Sequence, residues 1–423
     1  MHLISLDDIP REDLADIVAG RRVDVPAGRF IVLLDWLPLG AAELALRAAA
    51  ARVGAEVVSA RRLFPGFDDG ADLLETAAVA GAYADVLVVR HPLRGAARAA
   101  AAVSRAPVLS AGDGGGEDPL FALGDLAVFG ELLGDLRGRS LALCGDLGRN
   151  RRAHSIAGGL LGLRARVLLV PALGSEPEEG FLDRLSIRHG YHPVRFAAQS
   201  MSSLLDMVDS WLLTPDLEHQ LPLLPDVDAS SDQDRRQVRR QVRDVDALWV
   251  ASPRDDRGEP IPASAPPRFP FREEDGRALV SLRPSGSESA LPLFRRAERE
   301  VGAVAALLSR SLAGGLRGSP VLPEGAYTGR EGVRCDNAAC VACREPARVT
   351  PAFTVLRTDP LLLACVYCWA RRRVQYVGSR VEKRYHRLGS SQVRKILPRN
   401  VVFFSGRREA ESAGFVLSRL EQG

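Results

Sequence analysis

The chain has 423 residues, room for two or three domains with an ample hydrophobic core, which excludes a single small module. Hydrophobic residues make up 46% and charged residues 26%, the proportions of a globular protein, so wholesale disorder and fibrous repeats are excluded too. The net charge of +3 hides an uneven spread: from Arg371 onward 13 basic and 4 acidic residues give a local +9, and the sequence before it carries −6.

In chain order, the start from Met1 to Asp8 lacks the basic segment and long apolar run of a signal peptide. The most apolar stretches, Phe30 to Leu34 and Leu361 to Val366, are far shorter than the roughly 20 residues a membrane span needs. A cytoplasmic location is predicted. Phe30-Ile31-Val32-Leu33-Leu34 precedes a helical stretch from Ala41 to Val53. Val86 to Val89 precedes Gly95 to Val103, and Leu141 to Cys144 precedes Ala153 to Leu163. Strand then helix, repeated, predicts parallel sheets with crossover helices. The polar stretch Asp226 to Asp244 and the Pro-rich one from Glu259 to Pro270 read as surface loops or insertions, and Gly314 to Arg334 as a linker.

Five of the six cysteines, Cys335, Cys340, Cys343, Cys365 and Cys368, then crowd into 34 positions. In a reducing compartment that clustering points to a metal before disulfides. Cys335-x4-Cys340 and Cys365-x2-Cys368 bracket a strand-forming run, Ala352 to Leu356, and four thiolates at that spacing close a tetrahedron around zinc without leaving a water position. Cys343 either replaces Cys340 as a ligand or, the reading preferred here, is a free thiol. The tail carries Tyr376, Tyr385, Phe403 and Phe404 within its basic stretch, which suits either an aromatic core or base stacking with phosphate contacts. Arginine enrichment alone means little, because the chain has only two lysines, Lys383 and Lys395, and arginine replaces lysine throughout.

Four phrases share an order and a set of spacings: His2-Leu3-Ile4-Ser5-Leu6; Arg90-His91-Pro92 with Gly95-Ala96-Ala97; Pro107 to Gly114; and Gly145-Asp146-Leu147 through Arg151 to His154-Ser155. Together they resemble aspartate carbamoyltransferase, which joins carbamoyl phosphate to aspartate in pyrimidine biosynthesis. Arg334 to Cys340 with Cys365 to Cys368 resembles the zinc domain of that enzyme's regulatory chain. Residues 376–415 resemble the small Ada-type zinc-binding domain of DNA alkylation repair, but without its cysteines: His386-Arg387-Leu388-Gly389-Ser390 stands where His-Arg-Pro-Asp-Cys is expected, and the last cysteine pair falls on Leu417 and Leu420.

The resemblance implies an α/β protein: two carbamoyltransferase-like domains of parallel sheet and crossover helices, a small β-rich zinc domain and a small α+β C-terminal domain. It places a carbamoyl-phosphate-binding-like domain at 1–135, an aspartate-binding-like domain at 136–315, the zinc domain at 325–373 and the basic domain at 374–423. It implies a trimer-like homo-oligomer, or pairing with an active carbamoyltransferase chain, and Zn held by Cys335, Cys340, Cys365 and Cys368. Arg90 matches an arginine contacting carbamoyl phosphate, Arg151 one contacting aspartate, and His154 reads as structural.

The family's chemistry depends on positive groups and helix-terminal amides that hold the phosphate and polarise the carbamoyl carbonyl. Here the phosphate loop Ser-Thr-Arg-Thr-Arg falls on Leu39-Gly40-Ala41-Ala42-Glu43, and a loop lysine on Asp69. His-Pro-Thr-Gln becomes Asp118-Pro119-Leu120-Phe121, His-Pro-Leu-Pro-Arg becomes Arg283-Pro284-Ser285-Gly286-Ser287, and a binding arginine becomes Ser252. The expectation is a catalytically inactive relative, a pseudoenzyme acting as an assembly or regulatory scaffold linked to pyrimidine biosynthesis. Two alternatives remain: an active carbamoyltransferase-type enzyme with an altered site, Arg254, Arg257 or Arg283 supplying the missing charge, and a nucleic-acid binder acting through residues 374–423.

Overall fold

The computed structural model describes residues 2–60, 72–145, 147–171, 176–191, 210–213, 247–251, 278–280 and 290–419. They form two compact units, the first from residues 1–177 and 188–320, the second from 178–187 and 321–423.

The first unit follows the predicted alternation. After a short helix α1 (Arg11–Val18) come β1 (Arg29–Asp35), α2 (Ala41–Arg52), β2 (Ala55–Ser59), α3 (Leu73–Tyr83), β3 (Val86–His91), α4 (Ala96–Ala101) and β4 (Val108–Asp113). The four strands pair in parallel in the order β2-β1-β3-β4. Every residue of β3 and β4 is buried: β3 is central and covered on both faces, and β4, last in this order, is flanked by Leu3, which bridges Leu109 in parallel. Helix α5 (Pro119–Leu133) leads to β5 (Ser140–Gly145), α6 (Arg151–Gly162) and β6 (Arg166–Pro171); α7 (Glu179–His189) follows, most of it in the second unit. Strands β7 (Ser210–Leu213), β8 (Ala247–Ala251) and β9 (Ala278–Val280) complete a second parallel sheet, ordered β6-β5-β8-β7-β9.

The long helix α8 (Ala290–Leu312) packs on α5 and α2. It comes so close to α5 that a Cβ on Gly124 would lie 2.8 Å from Cβ of Glu300. The stretch predicted as a linker is anchored at both ends. Ser319 Oγ accepts hydrogen bonds from the amides of Ile4 and Ser5 at 3.0 and 3.1 Å, and Tyr327–Thr328 forms a strand, β10. Gly and Pro mark irregular backbone there, and irregular backbone still finds hydrogen-bond partners.

In the second unit, β10 heads an antiparallel sheet ordered β10-β11-β12-β13, with β11 at Ala352–Thr358, β12 at Leu361–Cys365, β13 at Arg371–Arg373, and a one-turn helix α9 at Val341–Arg344. A second sheet, ordered β16-β14-β15-β17, joins β14 (Tyr376–Ser379), β15 (Arg384–Arg387), β16 (Val401–Phe404) and β17 (Val416–Leu417), with α10 at Arg407–Ser412. The two sheets are stitched together: Val333 N donates to Phe403 O at 2.7 Å, and the Tyr327 and Phe403 rings lie 4.8 Å apart. Tyr385, Val402, Phe404, Ala410 and Phe415 form the core under the second sheet. No helix among the described residues is long and apolar enough to cross a membrane.

Residues 178–187 belong to this unit through the turn after Cys368. Trp369, at φ 65°, sets its ring 5.4 Å from that of Phe181 and 4.7 Å from the Arg184 guanidinium. Arg371 grips Asp183 with two nitrogens, at 2.5 and 2.6 Å, and also pairs with Glu179. Gly180 sits against the Trp369 carbonyl, and a Cβ would fall on that oxygen. Gly180→Ala is therefore expected to destabilise this unit by about 1–3 kcal/mol in thermal unfolding. The sign opposes alanine's helix-propensity gain of about 1 kcal/mol over glycine.

Candidate functional site

The glycine-rich turn after β4, Ala111 to Gly116, gathers the arginines predicted for the site. Arg90, buried at the end of β3, donates to Ala111 O at 3.2 Å. Arg151 opens α6 and lies over Gly112, where a Cβ would be 2.7 Å from its Nε, and its Nη1 donates to Gly114 O at 3.4 Å. Glycine is required at 112 and 114 on two counts, since both also take positive φ, 113° and 54°. His154 stands one turn further along α6, with Nδ1 2.7 Å from Gly116 O and Nε2 2.7 Å from Leu147 O. Both ring nitrogens are occupied by backbone carbonyls, which makes His154 a brace between two loops.

A buried acidic network runs through the same turn. Asp113 accepts from the amides of Gly95 and Glu117 at 2.8 and 3.0 Å, and burial pushes its carboxyl up to about 7. Ser155 Oγ donates to Glu117 Oε2 at 3.2 Å and accepts from Asp118 N at 2.9 Å. Asp118 caps α5 through the amide of Phe121, and its Oδ2 lies 3.7 Å from Arg151 Nε and 4.0 Å from Arg152. With side chains only 4% exposed, Asp118 and Arg151 form a buried ion pair.

At the phosphate-loop position, Gly40 starts α2 at φ 58° with no side-chain cap, and the first turn offers Glu43. Arg47 holds Glu43 at 2.7 Å and also donates to Val57 O. Phe121, at the expected glutamine position, is fully buried in the core. Two positions expected to be positive or neutral thus carry carboxylates, each ion-paired: Glu43 with Arg47, and Asp118 with Arg151 and Arg152. Asp69, Ser252, Arg254, Arg257 and Arg283–Ser287 lie outside the described residues.

The cysteines predicted as metal ligands converge. The Sγ atoms of Cys335, Cys340, Cys365 and Cys368 lie within 4.8 Å of one another, all four residues buried. Cys335 and Cys368 are 3.4 Å apart and Cys340 and Cys365 are 3.9 Å apart, bracketing the about 3.8 Å edge of a zinc tetrathiolate with Zn–S near 2.3 Å. Local backbone sets this spacing: Cys340 is the N-cap of α9, while Trp369 N donates to Cys365 O and Cys365 N to Ala370 O, closing a tight knuckle. Hydrogen bonding with Cys335 and its neighbours raises Cys340 and Cys365 and lowers Cys368, a conflict a divalent cation resolves. The donor set fits zinc, closed and structural. Cys343 is half-buried and outside the cluster.

Residues 42–131 match a family model, "Aspartate/ornithine carbamoyltransferase, carbamoyl-P binding domain". Residues 329–373 match a second, "Aspartate carbamoyltransferase regulatory chain, metal binding domain". The catalytic subunit of aspartate carbamoyltransferase from Picrophilus torridus is 34% identical over 180 residues, 40% of this chain and 59% of that protein. The one from Methanothrix thermoacetophila is 34% identical over 203 residues, 44% and 66% respectively. The chain thus spans under two thirds of the length of these relatives. Among solved structures, the catalytic subunit of M. jannaschii aspartate transcarbamoylase aligns with a TM-score of 0.50 at 21% identity, over 74% of this chain and 98% of that one. Trypanosoma cruzi aspartate transcarbamoylase in complex with carbamoyl aspartate and phosphate gives 0.50 at 22%, over 73% and 94%. At such identities the likeness is one of fold.

The chain is therefore aspartate carbamoyltransferase-like, with a regulatory-chain-type zinc domain in the same polypeptide. Of the residues singled out in the sequence, Arg90, Arg151 and His154 gather at the turn after β4 and the four cysteines converge, while the network of Asp113, Glu117, Ser155 and Arg152 was missed. The run Gly112-Asp113-Gly114-Gly115-Gly116-Glu117-Asp118 was its visible signal, since three acids in a glycine-rich turn need partners if buried. In the tail, Tyr385 and Phe404 are fully buried, Tyr376 packs edge-on against Tyr385 at 5.3 Å, and half-buried Phe403 packs on Tyr327 at 4.8 Å, so Tyr385 and Phe404 serve the core.

Proposed function

We propose that this protein has lost transcarbamoylase activity and serves as a zinc-bearing assembly or regulatory scaffold. Its partners would be further copies of itself, in a trimer-like arrangement, or an active carbamoyltransferase chain, in the setting of pyrimidine biosynthesis. In this reading residues 1–135 and 136–315 are the two scaffold domains, 325–373 the zinc domain and 374–423 a basic appendage.

The observation that carries the reading is the Asp118–Arg151 pair. The acid stands where the resemblance expects the carbonyl-polarising histidine, and it neutralises an arginine expected to bind substrate. Glu43, held by Arg47 in the first turn of α2, supports it at the phosphate position. Losing one oxyanion-type donor costs on the order of 100-fold to 1000-fold in rate, and several are replaced here together. Such losses are not additive, yet among the described replacements Glu43, Asp118 and Phe121 supply no side-chain donor in place of the expected arginine, histidine and glutamine.

Purified chain incubated with carbamoyl phosphate and aspartate is expected to form no carbamoyl aspartate above a no-protein blank in a citrulline-type colour assay. Calorimetry with the bisubstrate phosphonate analogue is expected to show no heat of binding at millimolar ligand. Turnover, or tight binding of the analogue, would establish an active enzyme with a rebuilt site.

A further inference from the structure

Beyond the carbamoyltransferase-like region, the sheet that carries Tyr385 holds a cleft of about 330 Å³ on its other face. Residues alternate across a strand, so with Tyr385 in the apolar core, Arg384 and His386 of β15 face away from that core. Residues 388–400 cover this side, bringing Lys395 and Asn400 to the wall, and the floor includes the buried residues Ser379, His386 and Ser418.

Some of the basic side chains nearby are paired. Lys383 and Arg380 pair with Glu331, and Arg407 with Glu411. Arg384 and Lys395, on the cleft, have no carboxylate within ion-pair distance among the described residues. One acid, Glu382, also lines it, leaving the wall net positive. Two apolar side chains stand at the rim, Val381 at 74% exposed and Leu397 at 54%.

We propose that this cleft binds a phosphomonoester on an organic body, of the nucleoside-monophosphate class. Arg384 and Lys395 supply the charge, Arg384 with a fork suited to two phosphate oxygens. The hydroxyls of Ser379 and Ser418 and the amide of Asn400 supply neutral hydrogen bonds, and Val381 and Leu397 a surface for the organic part. A terminal phosphate is favoured over a nucleic-acid backbone because Tyr376, Tyr385, Phe404 and Phe415 are committed to the core and Phe403 packs on Tyr327, which leaves no row of stacking platforms.

The test is calorimetric titration of the zinc-loaded full chain with adenosine 5′-monophosphate, adenosine, and single-stranded oligonucleotides with and without a 5′-phosphate. The monophosphate is expected to bind saturably, and adenosine at least tenfold more weakly. Arg384→Gln/Lys395→Gln, both exposed and outside any core, should weaken the monophosphate at least tenfold while leaving the circular dichroism spectrum and zinc content unchanged. An oligonucleotide lacking the terminal phosphate that binds as tightly would assign the cleft to backbone phosphates and overturn the proposal. So would the absence of saturation at millimolar monophosphate, or equal affinity in the double variant.

Discussion

Cys365→Ser, or exhaustive chelation of zinc, is expected to unfold the sheet β10 to β13 and release residues 179–187 with it. Cys335, Cys340, Cys365 and Cys368 are buried together, and the segment around them has few large apolar side chains; Phe353 is the largest that is fully buried. Structural zinc sites of this kind contribute an apparent binding free energy of about 10–16 kcal/mol at neutral pH, more than such a small core can replace. The knuckle closed by Cys365 and Cys368 also fixes Trp369 and Arg371, which hold Phe181, Asp183 and Glu179. Hydrogen exchange with mass spectrometry would follow amide protection in β11, β12 and residues 179–187 alongside zinc content. Cys343→Ser should leave both unchanged. Full protection in zinc-free protein would show that apolar packing alone suffices, and loss of zinc from Cys343→Ser would place Cys343 among the ligands.

Asp118→Ala is expected to lower stability by about 3–5 kcal/mol, because it leaves Arg151 buried beside an emptied position. The same change removes the N-cap of α5, by itself worth about 1 kcal/mol. Chemical denaturation monitored by far-ultraviolet circular dichroism would read the sum. Two effects of opposite direction follow from one substitution, since stability falls while the pocket gains net positive charge. Added phosphate should therefore stabilise the variant more than the parent chain. Equal stabilisation of both by phosphate would mean that Asp118 does not suppress anion binding.

The strand–helix order was legible because apolar runs such as Phe30 to Leu34 and Val86 to Val89 are short, continuous and followed by Ala-rich stretches, and they became β1 with α2 and β3 with α4. The cysteine cluster was legible because ligand spacing is local: α9 and the knuckle each fix one pair. What was hidden depends on contacts between residues distant in sequence. Nothing around Gly180 announces that Trp369, 189 residues later, presses on it. Asp118 could be seen to replace a histidine, but its pairing with Arg151 depends on how α6 packs against α5. Gly314 to Arg334 read as a linker because its composition hides hydrogen bonds formed with distant partners such as Ile4 and Ser5.

Arg371 and Trp369 are made late relative to the helix they hold. A ribosome adding roughly 5–20 residues per second reaches them about 10–40 s after Asp183 has been joined to the nascent chain. During that interval Phe181, only 1% exposed in the finished protein, lacks the Trp369 ring, and Glu179 and Asp183 lack the Arg371 guanidinium. A chain halted before the second cysteine pair would lack these contacts and keep only those α7 makes elsewhere, such as Arg188 with Asp8. The Trp369 and Arg371 grip on α7 is thus a mark of completion, present only in chains synthesised through β13.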